Sequence, residues 1–392
     1  MMKKLSVKHT FAACYIGFFT QAIVCIFAPL LFVIFNTKYN ISLPLITLIS
    51  SVNFITQFVT DGLSIFFLHK IGYRKAGILA HFLAFLGFFM LGVVAPKMPN
   101  MYAWIMVSVV LYSVGGGLLE VVLNPIIENT PTKSKSGALS LLHSMFSIGS
   151  VVTILVTTIA LKIFGQDSWK KITVFWSLVP LCNMVYFFFI PINEAGDTAQ
   201  REPIWNFFKD RMFWGFLLVM MCGGASEIGI SQWASAFAET SLGISKTAGD
   251  VIGPCMFAVM MATARILHSR APHFIKLTNA ILYSGVFAAV CYLVAALVPV
   301  PFVALIACGL CGFAVGIMWP GTLSLASRAY PAGGGALFAI MALAGDVGCT
   351  VGPSAVGFVA SIFGGDLRTG LLVGTFFPIL MVVGLLILNK KK

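Results

Sequence analysis

Glu120 sits in the run LEVVLNP, Leu119 to Pro125, inside a stretch otherwise suited to hydrocarbon, with Asn124 one helical turn further on. A charge near a bilayer centre costs roughly 2.5–3.5 kcal/mol on insertion scales, so such a residue faces a partner or a cavity and marks an ion or substrate path. Low-dielectric surroundings disfavour an ionised carboxyl, which lets a Glu there load and unload a proton. The alternative reading is a permanently protonated carboxyl bonded to a neighbouring helix. Glu227, in GASEIGIS from Gly224 to Ser231, is open to the same two readings. Ser140, His143, Ser144 and Ser147 recur at i, i+3, i+4 and i+7 and so share one helix face, which is expected to line water or substrate. His143 can also titrate, or join two helices as a neutral ring.

Gln21, Asn124, Gln232, Trp233 and Trp319 add amides and aromatic rings suited to a compact polar ligand with an apolar face, with plain packing as the alternative for either Trp. Asp346 lies in GDVGCTVGP among glycines that permit close helix approach, which favours a conformational role. Asp61 and Arg265 stand near the inner ends of two apolar spans and are expected to make gating charge contacts between the halves of the chain. His81, alone in its span, reads as structural. Cys308 and Cys311 are spaced like half a metal site, but no second pair or nearby His accompanies them, and no metal site or disulfide framework is indicated.

The elements holding these residues follow from composition, since 59% apolar and 10% charged residues describe a chain dissolved in lipid. Twelve spans approach the roughly 20 residues needed to cross hydrocarbon. They run over 11–35, 44–68, 76–95, 102–127, 136–164, 172–192, 212–240, 247–267, 278–298, 302–324, 335–363 and 371–388. The first is too long for a signal-peptide core and reads as an uncleaved helix. Of the 25 Lys and Arg residues, the outer loops would hold only Lys38, Lys97, Lys162, Lys170, Lys171, Lys246 and Arg368 if both termini are cytoplasmic, as the positive-inside bias requires. That bias explains the net charge of +12 without nucleic acid.

The longest polar interval, 193–210, divides the chain into six-span halves at 1–192 and 211–392 and reads as a cytoplasmic linker. Weak echoes support a duplication. NTKYNIS after the first span aligns with ETSLGIS after the seventh, and Asn124-Pro125 followed by Gly137-Ala138-Leu139 matches Trp319-Pro320 followed by Gly335-Ala336-Leu337. Repeated halves are typical of secondary transporters. A phosphate-binding loop is absent from the sequence, so energy comes from a gradient or transport is passive.

Twelve spans in two sixes resemble the major facilitator superfamily. Its signature between the second and third spans appears in altered form in IFFLHKIGYRK: Ile65 replaces the glycine and His69 the acid, while Lys70, Gly72, Arg74 and Lys75 fit. The acid in that signature locks one conformation, a role that Asp61, two turns earlier, is placed to take over. LEVVLNP resembles the L-E-x-x-x-N-P of the fucose and glucose/galactose permease branch, which implies a proton-binding role for Glu120. LSLLHSMFSIG resembles that branch's next stretch with His143 at a sugar-contacting Gln and Phe146 at an Asn, implying a changed substrate. GASEIGIS places Glu227 at a matching acid. Cys25 stands ahead of Pro29 where the branch carries an Asp, so its coupling scheme does not transfer whole.

The expectation is an all-α membrane protein of the plasma membrane, not an enzyme. It would be a monomer without cofactor that exchanges protons and a small-molecule substrate, importing a sugar or other small polar metabolite. A proton-driven exporter of amphipathic compounds, or a transporter-shaped receptor, is the alternative.

Overall fold

A computed structural model describes residues 5–193, 204–234, 237–238, 243 and 251–390. The linker residues 194–203, the ETSLGIS echo apart from Gly243, Lys246 and the start of the eighth span lie outside the described residues. Every described regular element is helical, as hydrocarbon demands of a chain that must satisfy its own backbone. The first helices are α1 (Val7–Ile26), α2 (Phe32–Tyr39), α3 (Leu43–Ile71), α4 (Tyr73–Phe89), α5 (Met101–Asn129), α6 (Lys135–Phe164) and α7 (Trp169–Phe189). A short α8 (Ile204–Phe207) precedes α9 (Arg211–Ser231), α10 (Met256–Arg270), α11 (Leu277–Leu297), α12 (Pro301–Val315), α13 (Met318–Ala329), α14 (Gly334–Ile362), α15 (Leu367–Gly374) and α16 (Phe376–Lys390). Among the described residues, eleven helical stretches are long and apolar enough to span a membrane. The described part of the expected eighth span is a π-helical turn, Val251–Cys255, that runs into α10.

Prolines explain where single spans divide. The expected first span breaks at a 3-10 turn, Ala28–Leu31, because Pro29 has no N–H for the Cys25 carbonyl. The expected tenth breaks between α12 and α13, where Pro320 likewise leaves the Gly316 carbonyl without its helical donor.

The chain forms two compact units, one of Met1–Thr132 with Ile148–Ala199, the other of Lys133–Ser147 with Gln200–Lys392. The first half of α6 thus packs in the second unit, where the sequence alone groups it with the first six spans. Its polar face explains the difference, since Ser140 and Ser147 bond to Arg265 on α10.

In the first unit α5 packs against α1, α3 and α4. Three successive glycines make this possible. A Cβ at Gly115 would lie 2.5 Å from the Ala80 carbonyl oxygen on α4, at Gly116 2.7 Å from Val24 on α1, and at Gly117 2.7 Å from Asp61 on α3. Above them Phe88 stacks on Tyr112 at 4.8 Å. In the second unit α9 lies against α14, and a Cβ on Gly348 would collide with the Met221 carbonyl.

The polarity of these helices is inverted relative to a water-soluble bundle. On α3, Asn53, Gln57, Thr60, Asp61 and Ser64 are buried while Phe54, Ile55, Phe58 and Phe66 are exposed. On α6, Ser150, Thr153 and Thr157 are buried while Leu155, Ile159 and Ile163 are exposed. Only an apolar solvent rewards that arrangement.

Candidate functional site

Two polar clusters form, one in each unit. In the first, Glu120 is half-buried on α5, one turn beyond the glycine triplet that lets α1 and α3 approach. The Gln21 amide nitrogen on α1 donates to Glu120 Oε2 at 3.3 Å and to Gln57 Oε1 on α3 at 2.8 Å. Gln57 in turn donates to Asn53 Oδ1 at 3.0 Å, and the Ser113 hydroxyl donates to the same oxygen at 2.6 Å. Cys25, at the position of the branch's missing acid, approaches Gln57 Oε1 at 3.8 Å. The result is a continuous polar track across three helices ending on a carboxylate. Sequence reasoning singled out Gln21 and Glu120 but not Asn53, Gln57 or Ser113. The spacing of Asn53, Gln57 and Asp61, four residues apart each time in an apolar span, was the available signal.

Asn124 turns back along its own helix and donates to the Glu120 carbonyl at 2.7 Å, just before Pro125, which cannot donate to Val121. Asp61 is fully buried beside Gly117.

In the second unit the centre is Arg265, whose side chain is 3% exposed. Its Nε donates to the Gly316 carbonyl at 2.8 Å, the same carbonyl that Pro320 deprives of a helical donor. Nη1 donates to the His143 carbonyl at 3.0 Å and to Ser147 Oγ at 2.8 Å, and Nη2 reaches Glu227 Oε2 at 3.4 Å. The Arg265 carbonyl accepts from Ser140 Oγ at 2.9 Å. The fixed fork of a guanidinium suits several acceptors held at once. Three of the four residues on the polar face of α6 therefore meet Arg265, His143 and Ser147 at its guanidinium and Ser140 at its backbone carbonyl, while Ser144 donates locally to the Leu141 carbonyl.

The other expected site residues take varied places. Trp319 is buried with its ring against Gly345, and Trp233 lies against Gly357 and donates to the Pro353 carbonyl at 2.9 Å. Gln232 is exposed at the end of α9 and Asp346 half-buried in α14. In the signature region His69, Lys70 and Lys75 are exposed. Gly72, at φ 82°, turns the chain between α3 and α4 in a conformation that favours glycine. Arg74 donates to the carbonyls of Phe187, Phe188 and Ile190, capping α7 and satisfying acceptors that a helix end leaves open. His81 is buried between the Gly77 carbonyl and Asn183, in keeping with a structural role.

Helices with lipid-facing apolar surfaces and buried polar clusters define a multi-span membrane protein. The sequence profile of the Major Facilitator Superfamily matches residues 11–353, and the chain belongs to that superfamily. It is a transporter, not an enzyme. Among curated proteins, no sequence matches the chain. Among solved structures it is similar to the E. coli fucose:proton symporter FucP, with TM-score 0.80 at 15% identity, covering 98% of this chain and 99% of that one. It is also similar to the proton:xylose symporter XylE, with TM-score 0.80 at 12% identity over 98% of this chain and 95% of that one. The human organic anion transporter MFSD10 matches with TM-score 0.76 at 12% identity over 97% and 100%. These likenesses show the fold.

Proposed function

We propose that the protein is a proton-coupled importer of a sugar or similarly small polar metabolite, working by alternating access with Glu120 as the proton-binding group. The observation that carries this reading is the half-buried carboxylate on α5 held by the Gln21 amide within a track of neutral hydrogen-bonding groups. Glu227 faces Arg265, and a buried cation needs a counter-charge, so the proton is assigned first to Glu120. One proton moving down 100 mV supplies about 2.3 kcal/mol, enough to accumulate a neutral solute roughly fifty-fold. The proton:sugar symporters among the similar structures support the substrate class. The amides of Gln21, Asn124 and Gln232, the hydroxyls of Ser140, Ser144 and Ser147, the imidazole of His143 and the indoles of Trp233 and Trp319 supply the candidate ligand contacts. Asp61, Arg265, Asp346 and the signature residues His69 to Lys75 are the candidate gating groups. The protein is placed in the plasma membrane as a monomer, both termini cytoplasmic, with its six-span halves at 1–192 and 211–392.

Purified protein in proteoliposomes with an internal pH dye tests this, given a panel of sugars, organic acids and drug-like cations. Sugar-dependent acidification that Glu120→Gln abolishes is expected. Solute flux with unchanged internal pH in both proteins would overturn proton coupling, and extrusion of the cations alone would favour an exporter.

A further inference from the structure

The polar track in the first unit has a direction. Asn53 Oδ1 accepts from both the Ser113 hydroxyl and the Gln57 amide nitrogen. With its nitrogen bonded to Asn53 and only distantly facing Cys25 Sγ at 3.9 Å, Gln57 presents its oxygen to α1, where it can be met only by donors, the weak Cys25 thiol at 3.8 Å being one. Gln21 meets it with Nε2, the same atom that reaches Glu120. Gln21 Oε1 is buried without a partner, and a Cβ on Gly116 would lie 2.9 Å from it. Leaving that acceptor empty costs free energy, so the nitrogen-inward orientation is imposed by Gln57 rather than by the needs of Gln21 itself. Rotating the Gln21 amide would set oxygen against oxygen at Gln57 and withdraw a donor from Glu120.

We propose that Gln57 is a positioning residue for proton binding, holding the Gln21 nitrogen on Glu120 and thereby setting the pH at which Glu120 exchanges its proton. Asn53 and Ser113 act behind it by fixing which end of the Gln57 amide faces Gln21. The inference rests on reading Glu120 as the proton site. It gives positioning roles to Gln57 and Asn53 on α3 and to Ser113 on α5, residues to which that reading assigns no role of their own.

A donor bonded to a carboxylate favours the ionised form, so loosening that donor moves proton exchange to higher pH. Gln57→Met keeps the side-chain length and removes both hydrogen-bonding ends. The measurement is an infrared pH titration of the full-length protein in lipid, with protons as the sole ligand. The carboxyl band of Glu120 is identified by its loss in Glu120→Gln. In Gln57→Met the midpoint is expected to rise by about one pH unit, an amount typical of one charge-assisted hydrogen bond. Ser113→Ala, a small change that keeps the helix packing, is expected to move it the same way by less. An unchanged midpoint in Ser113→Ala and in folded Gln57→Met overturns the proposal, as does a Glu120 band that never titrates. A midpoint that responds to Gln57 while Glu120→Gln still acidifies the proteoliposomes leaves this inference standing and removes Glu120 from the transport coupling instead.

Discussion

Arg265 shows how one side chain can answer several local deficits. Pro320 opens the Gly316 carbonyl, α6 turns the His143 carbonyl and the Ser147 hydroxyl inward, and α9 supplies Glu227, all within 3.4 Å of one guanidinium. Removing one partner of a buried ion pair leaves the other charge unpaired, at a cost of about 3–5 kcal/mol. Arg265→Ala should therefore lower the thermal midpoint of the purified protein more than any single change among its neighbours. Arg265→Lys should recover only part of the loss, because an ammonium cannot match the planar fork. Ser147→Ala, which removes one acceptor, is expected to cost about 1–3 kcal/mol. A thermal melt monitored by tryptophan fluorescence in detergent reads all three, and equal stability of Arg265→Lys and the parent would contradict the account. The sequence marked Arg265 as a gating charge, and the open carbonyl opposite it was readable from Pro320. Which four acceptors it would meet was not.

At the scale of elements, the glycine triplet of α5 governs how the first unit closes around Glu120. The three positions differ in what they face. A side chain at Gly115 meets the Ala80 carbonyl and Ala84 nitrogen, which are backbone atoms of α4, whereas one at Gly116 meets the side chains of Val24 and Gln21. Backbone cannot rotate away, and overpacking costs typically about 1–3 kcal/mol. Gly115→Ala is expected to destabilise at the upper end of that range and Gly116→Ala at the lower, as read by the temperature at which the monodisperse chromatographic peak is lost. Gly116→Ala should additionally raise the midpoint of the Glu120 titration, because it crowds Gln21 Oε1. Most spans were legible from hydropathy alone. The divisions at Pro29 and Pro320 were not drawn there, because a window average registers how apolar a segment is and not whether its hydrogen-bond ladder is interrupted.

Across the whole molecule, the distribution of positive charge argues for cytoplasmic termini. A protease-cleavable tag at the C-terminus should resist external protease in intact cells or spheroplasts and be cut in inverted vesicles. The reverse pattern would invert every assignment of inside and outside made from the loops. The inverted polarity of α3 and α6, apolar faces out and Ser, Thr, Asn and Gln in, is the structural counterpart of the composition. It places the membrane around the protein without reference to any relative.

Membrane residence, the all-helical class and the carboxylates worth testing were legible in the sequence itself. The cost of placing a segment in hydrocarbon accumulates along about 20 consecutive residues, and one misplaced Glu stands out against it. Helical periodicity likewise put Ser140, His143 and Ser147 on one face. The partners of that face came only with tertiary structure, because periodicity specifies what a helix presents and not which helix receives it. Gln21, Gln57 and Glu120 lie on three different helices, and Arg265 gathers atoms from α6, α9 and the break before α13. Their meeting depends on glycines that permit close approach and prolines that free a carbonyl, features whose consequences exist only when two helices are side by side.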